Sequence, residues 1–160
     1  MFFCCETATV ERYTGRSDGG VRCGYETADD HPEVIVLIHG FGASGTQWNK
    51  AMQELAKMSP TASQGLAPDL IGFGQSEKPA LSYTSYLWDS YSMDFCKEIA
   101  TGAHKWDSYS VGGNSIGGFT SSSVAACDTA EIDSRSVSSS GAPGTGKCTG
   151  LVLMNSAGPL

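Results

Sequence analysis

The sequence predicts an α/β fold, a mostly parallel central sheet with flanking helices, and three stretches predict it. Val34-Ile35-Val36-Leu37-Ile38 is apolar without alternation and runs into His39-Gly40-Phe41-Gly42. Such a run reads as a strand buried on both faces, the kind that parallel sheets covered by helices contain. Leu151-Val152-Leu153-Met154-Asn155 reads as another strand. Between them, Gly113-Asn114-Ser115-Ile116-Gly117 fits the pattern G-x-S-x-G, in which a serine sits on a strained turn from a strand into a helix. Glycines two before and two after the serine let neighbouring backbone pass close.

The remaining elements are taken in chain order. Glu11-Arg12-Tyr13 and Val21-Arg22-Cys23-Gly24-Tyr25-Glu26-Thr27 flank the turn Ser17-Asp18-Gly19-Gly20, which suggests a hairpin within residues 7–30. Asp29, Asp30, His31 and Pro32 form a polar connection, and His31 reads as a solvated loop residue in preference to a metal ligand or catalytic base. After the first strand, Met52, Leu55, Ala56 and Met58 recur at helical spacing, with Ser44 or Thr46 as the cap. Ser59-Pro60-Thr61-Ala62-Ser63-Gln64 breaks that helix into a loop, because proline cannot continue it. Before Pro68-Asp69 only Leu66 and Ala67 suit a buried strand.

Tyr86, Leu87, Tyr91, Met93, Phe95, Ile99 and Ala100 predict a helix over residues 84–101, stopped by Gly102, with its aromatic stripe in the core. His104 falls in the next loop. Trp106 to Val111 is the strand that feeds Ser115, and Phe119, Val124, Ala125, Ala126 and Cys127 continue as a helix of small residues. Residues 128–148 are rich in serine and glycine without an apolar period, and read as a surface insertion.

Ser115 is the candidate nucleophile. The turn aims its Oγ outward and leaves the backbone N–H of Ile116 at a helix N-terminus, where it can meet an oxyanion. His39-Gly40-Phe41-Gly42, then Asp69-Leu70-Ile71-Gly72-Phe73-Gly74-Gln75-Ser76, then Gly113-Asn114-Ser115-Ile116-Gly117-Gly118 resembles the α/β-hydrolase superfamily in motif order and spacing, from Val34 to Pro159. The resemblance implies that the N–H of Phe41 is the first oxyanion donor and that of Ile116 the second. It implies that Asp69 is a structural loop acid, that the early hairpin opens the sheet, and that no cofactor or metal is needed. It implies hydrolysis of a small-molecule carboxylic ester through an acyl-enzyme. A serine at the elbow separates the chain from haloalkane dehalogenases and epoxide hydrolases, which attack through aspartate. Gly-Asn-Ser-x-Gly-Gly also resembles carbon–carbon bond hydrolases and pheophytinase-like plant and algal esterases, and the motif leaves that choice open.

The same resemblance expects a lid, a strand carrying an acid, and a last strand leading to the catalytic histidine, in the order Ser, acid, His. The three histidines all precede Ser115 and the last acid is Asp133, so residues 1–160 read as a partial α/β-hydrolase domain with an insertion at 128–148. Without a base the serine hydroxyl is a poor nucleophile. An inactive fragment or a non-catalytic binding module is therefore the alternative. With the missing strands absent, the Leu151 strand is expected to be an open sheet edge through which the chain self-associates.

Composition narrows the partners. The net charge of −7 and the lack of any Lys/Arg run argue against a nucleic-acid surface. No stretch of about 18 apolar residues is present for a membrane helix. Six cysteines without a C-x-x-C pair read as reduced intracellular thiols in a soluble chain, with the compartment left open and a plastid compatible with the pheophytinase-like resemblance. One rival motif remains. Gly141-Ala142-Pro143-Gly144-Thr145-Gly146-Lys147 matches the phosphate-cradling pattern G-x-x-x-x-G-K of nucleotide binders. Against it, Cys148 stands where a Ser or Thr would hold magnesium, no strand precedes the motif, and a strand in place of a helix comes after it.

Overall fold

A computed structural model describes residues 33–58, 63–97, 108–135 and 147–158. The elements are β1 (Glu33–Ile38), a 3-10 turn (Gly45–Trp48), α1 (Asn49–Met58), β2 (Ser63–Leu66), α2 (Ser85–Phe95), β3 (Ser108–Ser115), α3 (Ile116–Arg135) and β4 (Lys147–Ser156). The four strands form one sheet in the order β2-β1-β3-β4, and every neighbouring pair is parallel. This is the expected parallel α/β architecture. The N-terminal hairpin, His31, Gly102, His104, Trp106 and Gly141–Gly146 lie outside the described residues.

Alternation along β1 sorts its apolar residues onto two faces, since successive strand side chains point to opposite sides. Val34, Val36 and Ile38 join Leu66, Leu70, Trp88, Phe95, Tyr109, Val111, Ile116 and Val124 in one core, beneath α2 and α3. Leu37 joins Trp48, Met52 and Ala67 in a second, beneath α1, with Ile35 packed against it. An unbroken apolar run is what a strand covered on both faces requires.

Three elements differ from the sequence expectation. The stretch read as a loop up to Gln64 ends in β2, which pairs with β1 in register Glu33↔Ser63 through Val36↔Leu66. Its weak strand composition is overridden by position: Leu66 and Ala67 are fully buried, and Gly65 opposite Ile35 leaves room for the Met52 side chain, which would lie 3.3 Å from a Cβ there. Along α2 the buried residues are Trp88, Ser92 and Phe95, whereas Tyr86 is 78% exposed. Of the expected stripe, Phe95 is in the core and Tyr91 and Met93 pack against it, Tyr86 is turned to solvent, Trp88 is the core residue that the periodicity missed, and Ile99 and Ala100 lie outside the described residues. The helix after Ser115 continues to Arg135, so the first part of the expected insertion is helical.

The caps are partly as read. Thr84 caps α2, its hydroxyl accepting the Leu87 N–H at 3.3 Å. Ser44 precedes the 3-10 turn without a side-chain cap bond, because its hydroxyl is paired with that of Thr46 at 2.7 Å. Cys96, Cys127 and Cys148 are free thiols, and burial pushes the pKa of Cys96 and of Cys148 upward, which keeps the thiol protonated and unreactive.

Candidate active site

The sheet order creates a crevice. From β1 the chain crosses to β2 on one side, and from β3 to β4 on the other, so the direction of winding switches between β1 and β3. In open parallel sheets ligands bind outside the carboxyl ends of the strands at such a switch point. β1 ends in Ile38 and leads to His39-Gly40-Phe41; β3 ends in Ser115.

Ser115 has φ of 57° and stands between the last residue pairs of β3 and the first turn of α3. A side chain other than glycine is rarely held in this left-handed region, and persists only where its surroundings fix it. The surroundings are three close approaches, two to backbone and one to the side chain of Ser156. A Cβ at Gly113 would run into the backbone of Gly117, one at Gly117 into the carbonyls of Ile38 and His39, and one at Gly118 would lie 2.9 Å from Ser156. The glycines predicted to frame the serine are thus required by contact, and Gly118 adds a third that the pattern does not demand.

The loop after β1 backs onto the same serine. A Cβ at Gly40 would lie 3.3 Å from that of Ser115. Residues 40–43 turn, with the Ala43 N–H donating to the Gly40 carbonyl at 3.2 Å, so this bond does not use the N–H of Phe41. The Phe41 ring is 72% exposed and meets Phe73 edge-on at 5.2 Å. Ile116 is the first residue of α3, where backbone N–H groups have no intrahelical partner. Ile116 thus adjoins Ser115 in the chain, and Phe41 follows Gly40, the loop residue that backs onto the serine.

His39 was not singled out by sequence reasoning, and it is committed to the fold. Its ring is fully buried, with Nδ1 2.8 Å from the Gly40 carbonyl and Nε2 accepting the Leu70 N–H at 2.9 Å. Accepting at Nε2 fixes the proton on Nδ1, which donates to Gly40. Burial lowers its pKa from 6.5, partly offset by the Gly40 bond and the charge of Asp69. With both nitrogens occupied, His39 is not placed to take a proton from Ser115.

Asp69 is the structural acid the loop motif implied. Its Oδ1 accepts the Gly45 N–H at 2.6 Å and its Oδ2 the Gln75 N–H at 2.8 Å. Its carbonyl accepts from the Ser76 hydroxyl at 2.6 Å and the Tyr91 hydroxyl at 2.9 Å. One carboxylate thereby ties the 3-10 turn after β1 to the loop after β2. Lys147 of the rival phosphate motif is the first residue of β4, so the motif leads into a strand and not a helix N-terminus. That removes the dipole and the amide cradle a phosphate would use. Among the described residues no group of three His, Cys, Asp or Glu side chains could hold a metal, and no helix is long and apolar enough to cross a membrane.

Comparison with known proteins agrees with this fold. The model of the Alpha/beta hydrolase family matches residues 35–160. The 2-hydroxy-6-oxo-6-(2'-aminophenyl)hexa-2,4-dienoic acid hydrolase of Metapseudomonas resinovorans is 32% identical over 157 residues, 96% of this chain and 44% of that protein. Lipase 3 of a Moraxella strain is 33% identical over 107 residues, 64% of this chain and 30% of the lipase. Among solved structures, a serine hydrolase involved in carbazole degradation superposes with a TM-score of 0.57 at 26% identity, covering 86% of this chain and 43% of that one. A thermophilic esterase from Thermogutta terrifontis superposes with a TM-score of 0.56 at 20% identity, covering 84% of this chain and 45% of that one, a likeness of fold alone. The chain spans less than half the length of each of these relatives. On the match over residues 35–160, the chain belongs to the alpha/beta hydrolase family.

Proposed function

We propose that Ser115 is the nucleophile of a hydrolase acting on a carboxylic ester through an acyl-enzyme, with the N–H groups of Phe41 and Ile116 as oxyanion donors. The observation that carries this reading is the left-handed conformation of Ser115 at the carboxyl end of β3, beside the winding switch point. In the reaction, Oγ attacks the ester carbonyl and loses its proton to a base. The carbonyl oxygen gains charge between the two N–H groups, and the alcohol leaves as the acyl–Oγ bond is completed. Water then reverses the sequence and frees the acid.

Residues 1–160 supply the nucleophile and the donors. His39 is occupied, and His31 and His104 both precede the serine, so this stretch by itself is expected to turn over ester only at background. Loss of a triad member typically costs about 10⁴ to 10⁶ in kcat. The Metapseudomonas relative, which this chain matches over nearly all its length, favours a second reading in which the substrate is a 2-hydroxy-6-oxo-dienoic acid instead of an ester.

The test uses a chain extended at its C-terminus by the strands of an alpha/beta hydrolase relative. Ser115→Ala is expected to abolish hydrolysis of p-nitrophenyl esters while keeping the fold. Ser115→Gly is expected to do the same with a higher melting temperature than Ser115→Ala, because glycine adopts the left-handed conformation without the roughly 1–2 kcal/mol cost to other residues. Retained turnover in either variant would remove Ser115 from the mechanism. Faster cleavage of a 2-hydroxy-6-oxo-dienoic acid than of any simple ester would select the second reading.

A further inference from the structure

Ser115 and Asn155 are the non-glycine residues with positive φ among the described residues, at 57° and 47°. They lie at the carboxyl ends of neighbouring parallel strands. Asn114 pairs with Met154 and Ser115 with Ser156, so the register between β3 and β4 skips Asn155. The skipped residue is the left-handed one, which makes the end of β4 a bulge of the kind that bends a strand and redirects the residues after it. Asparagine is the side chain, after glycine, that takes this conformation most readily.

The bulge delivers two contacts to the elbow. Past it, the Ala157 N–H donates to the Ser115 carbonyl at 2.9 Å. Ser156 packs against Gly118 in the first turn of α3, where any side chain would meet it. The bond to the Ser115 carbonyl matters because that carbonyl and the Ile116 N–H belong to one rigid, planar, trans peptide unit and point in opposite directions. Holding the carbonyl toward β4 aims the N–H away from β4. β1 and the loop carrying Phe41 lie on that opposite side of β3.

We propose that Asn155 is a positioning residue. Its left-handed turn places the Ala157 N–H on the Ser115 carbonyl, which fixes the shared peptide plane and points the Ile116 N–H at the oxyanion site. Asn155 acts through backbone and touches no substrate. Glycines 113, 117 and 118 give the elbow room, the first turn of α3 takes the Ser115 carbonyl as its N-cap acceptor, and the Ala157 N–H is the second, external donor that holds that carbonyl on the β4 side. The catalytic consequence rests on Ser115 being the nucleophile, whereas the backbone consequence does not.

The C-terminally extended chain separates the two. Asn155→Ala, which strains the bulge, is expected to weaken the Ala157 amide's protection from hydrogen exchange about tenfold. It is also expected to lower kcat about tenfold with KM unchanged, since an oxyanion donor is used only in the transition state. Asn155→Gly, which keeps the left-handed turn, is expected to restore both. Replacing the Ala157 amide by an ester removes the donor without straining the bulge, and is expected to reproduce the kcat loss even if Asn155→Ala does not fold. Unchanged kcat in the ester analogue, or failure of Asn155→Gly to restore it, would overturn the proposal. Altered protection at Ala157 in a chain whose turnover does not depend on Ser115 would leave the brace standing and remove the nucleophile reading instead.

Discussion

His39 Nε2 lies 2.9 Å from the backbone nitrogen of Leu70 and accepts its hydrogen, joining the end of β1 to the loop after β2 through a fully buried ring. Only the neutral ring can make this bond, and burial lowers the pKa from 6.5. The unfolded chain therefore binds a proton below pH 6.5 that the folded chain refuses. This contribution to stability is complete above that pH and is lost as the pH falls below it toward the depressed native value. Thermal melts at pH 7.5 and 5.5 are expected to show a larger fall for the parent than for His39→Gln, whose amide oxygen can still accept from Leu70. Equal falls in the two proteins would show that His39 does not carry the dependence.

Asp69 predicts a stability defect with no chemical role. Asp69→Ala removes the acceptor for the N–H groups of Gly45 and Gln75, the first of them a buried bond. An unsatisfied buried donor costs about 1–3 kcal/mol. Denaturant unfolding of Asp69→Ala is expected to show a loss of about 2–4 kcal/mol over the two donors, with Asp69→Asn losing less because one acceptor remains. A loss under about 1 kcal/mol in Asp69→Ala would mean that the loop relaxes and water takes both bonds.

β4 is the last strand of the sheet among the described residues, and Leu151, Val152 and Leu153 are 43%, 42% and 50% exposed. Leu151-Val152-Leu153-Met154 carries neither charge nor proline, the devices that discourage edge-to-edge pairing. Residues 1–160 expressed alone are expected to elute from size-exclusion chromatography as oligomers with a broad, low melt, and Val152→Lys to shift them toward monomer. A sharp melt of a parent monomer would show that this edge is not sticky.

How much of this was legible in the sequence depends on how local its cause is. β1 and the Ser115 turn were readable because their constraints lie within a few residues: an apolar run demands cover on both faces, and glycines at 113 and 117 demand close backbone. Asp69 was readable as a loop acid through its motif, and the two N–H groups its carboxylate accepts, those of Gly45 and Gln75, bear that out. β2 was readable only at its end, where Leu66 and Ala67 suit a buried strand, because Ser63-Gln64-Gly65 has little strand character and becomes a strand only through pairing with β1. The core role of Trp88 in α2 was missed for the same reason, since it meets Phe73 and the Ile71 carbonyl, neither of which its own helix contains, while Phe95, Tyr91 and Met93 of the expected stripe do face the core.

The site divides along the same line. The sequence by itself determined which residue is the nucleophile candidate and that Gly40-Phe41 follows the neighbouring strand, because a glycine-framed serine and a strand ending in His-Gly are local patterns. Only the tertiary structure decided that His39 is spent on Leu70 and that the Ala157 N–H, past the left-handed Asn155, bonds the Ser115 carbonyl. Those are bonds between residues far apart in the chain, and their geometry is set by strand order and register, which no short stretch of sequence encodes.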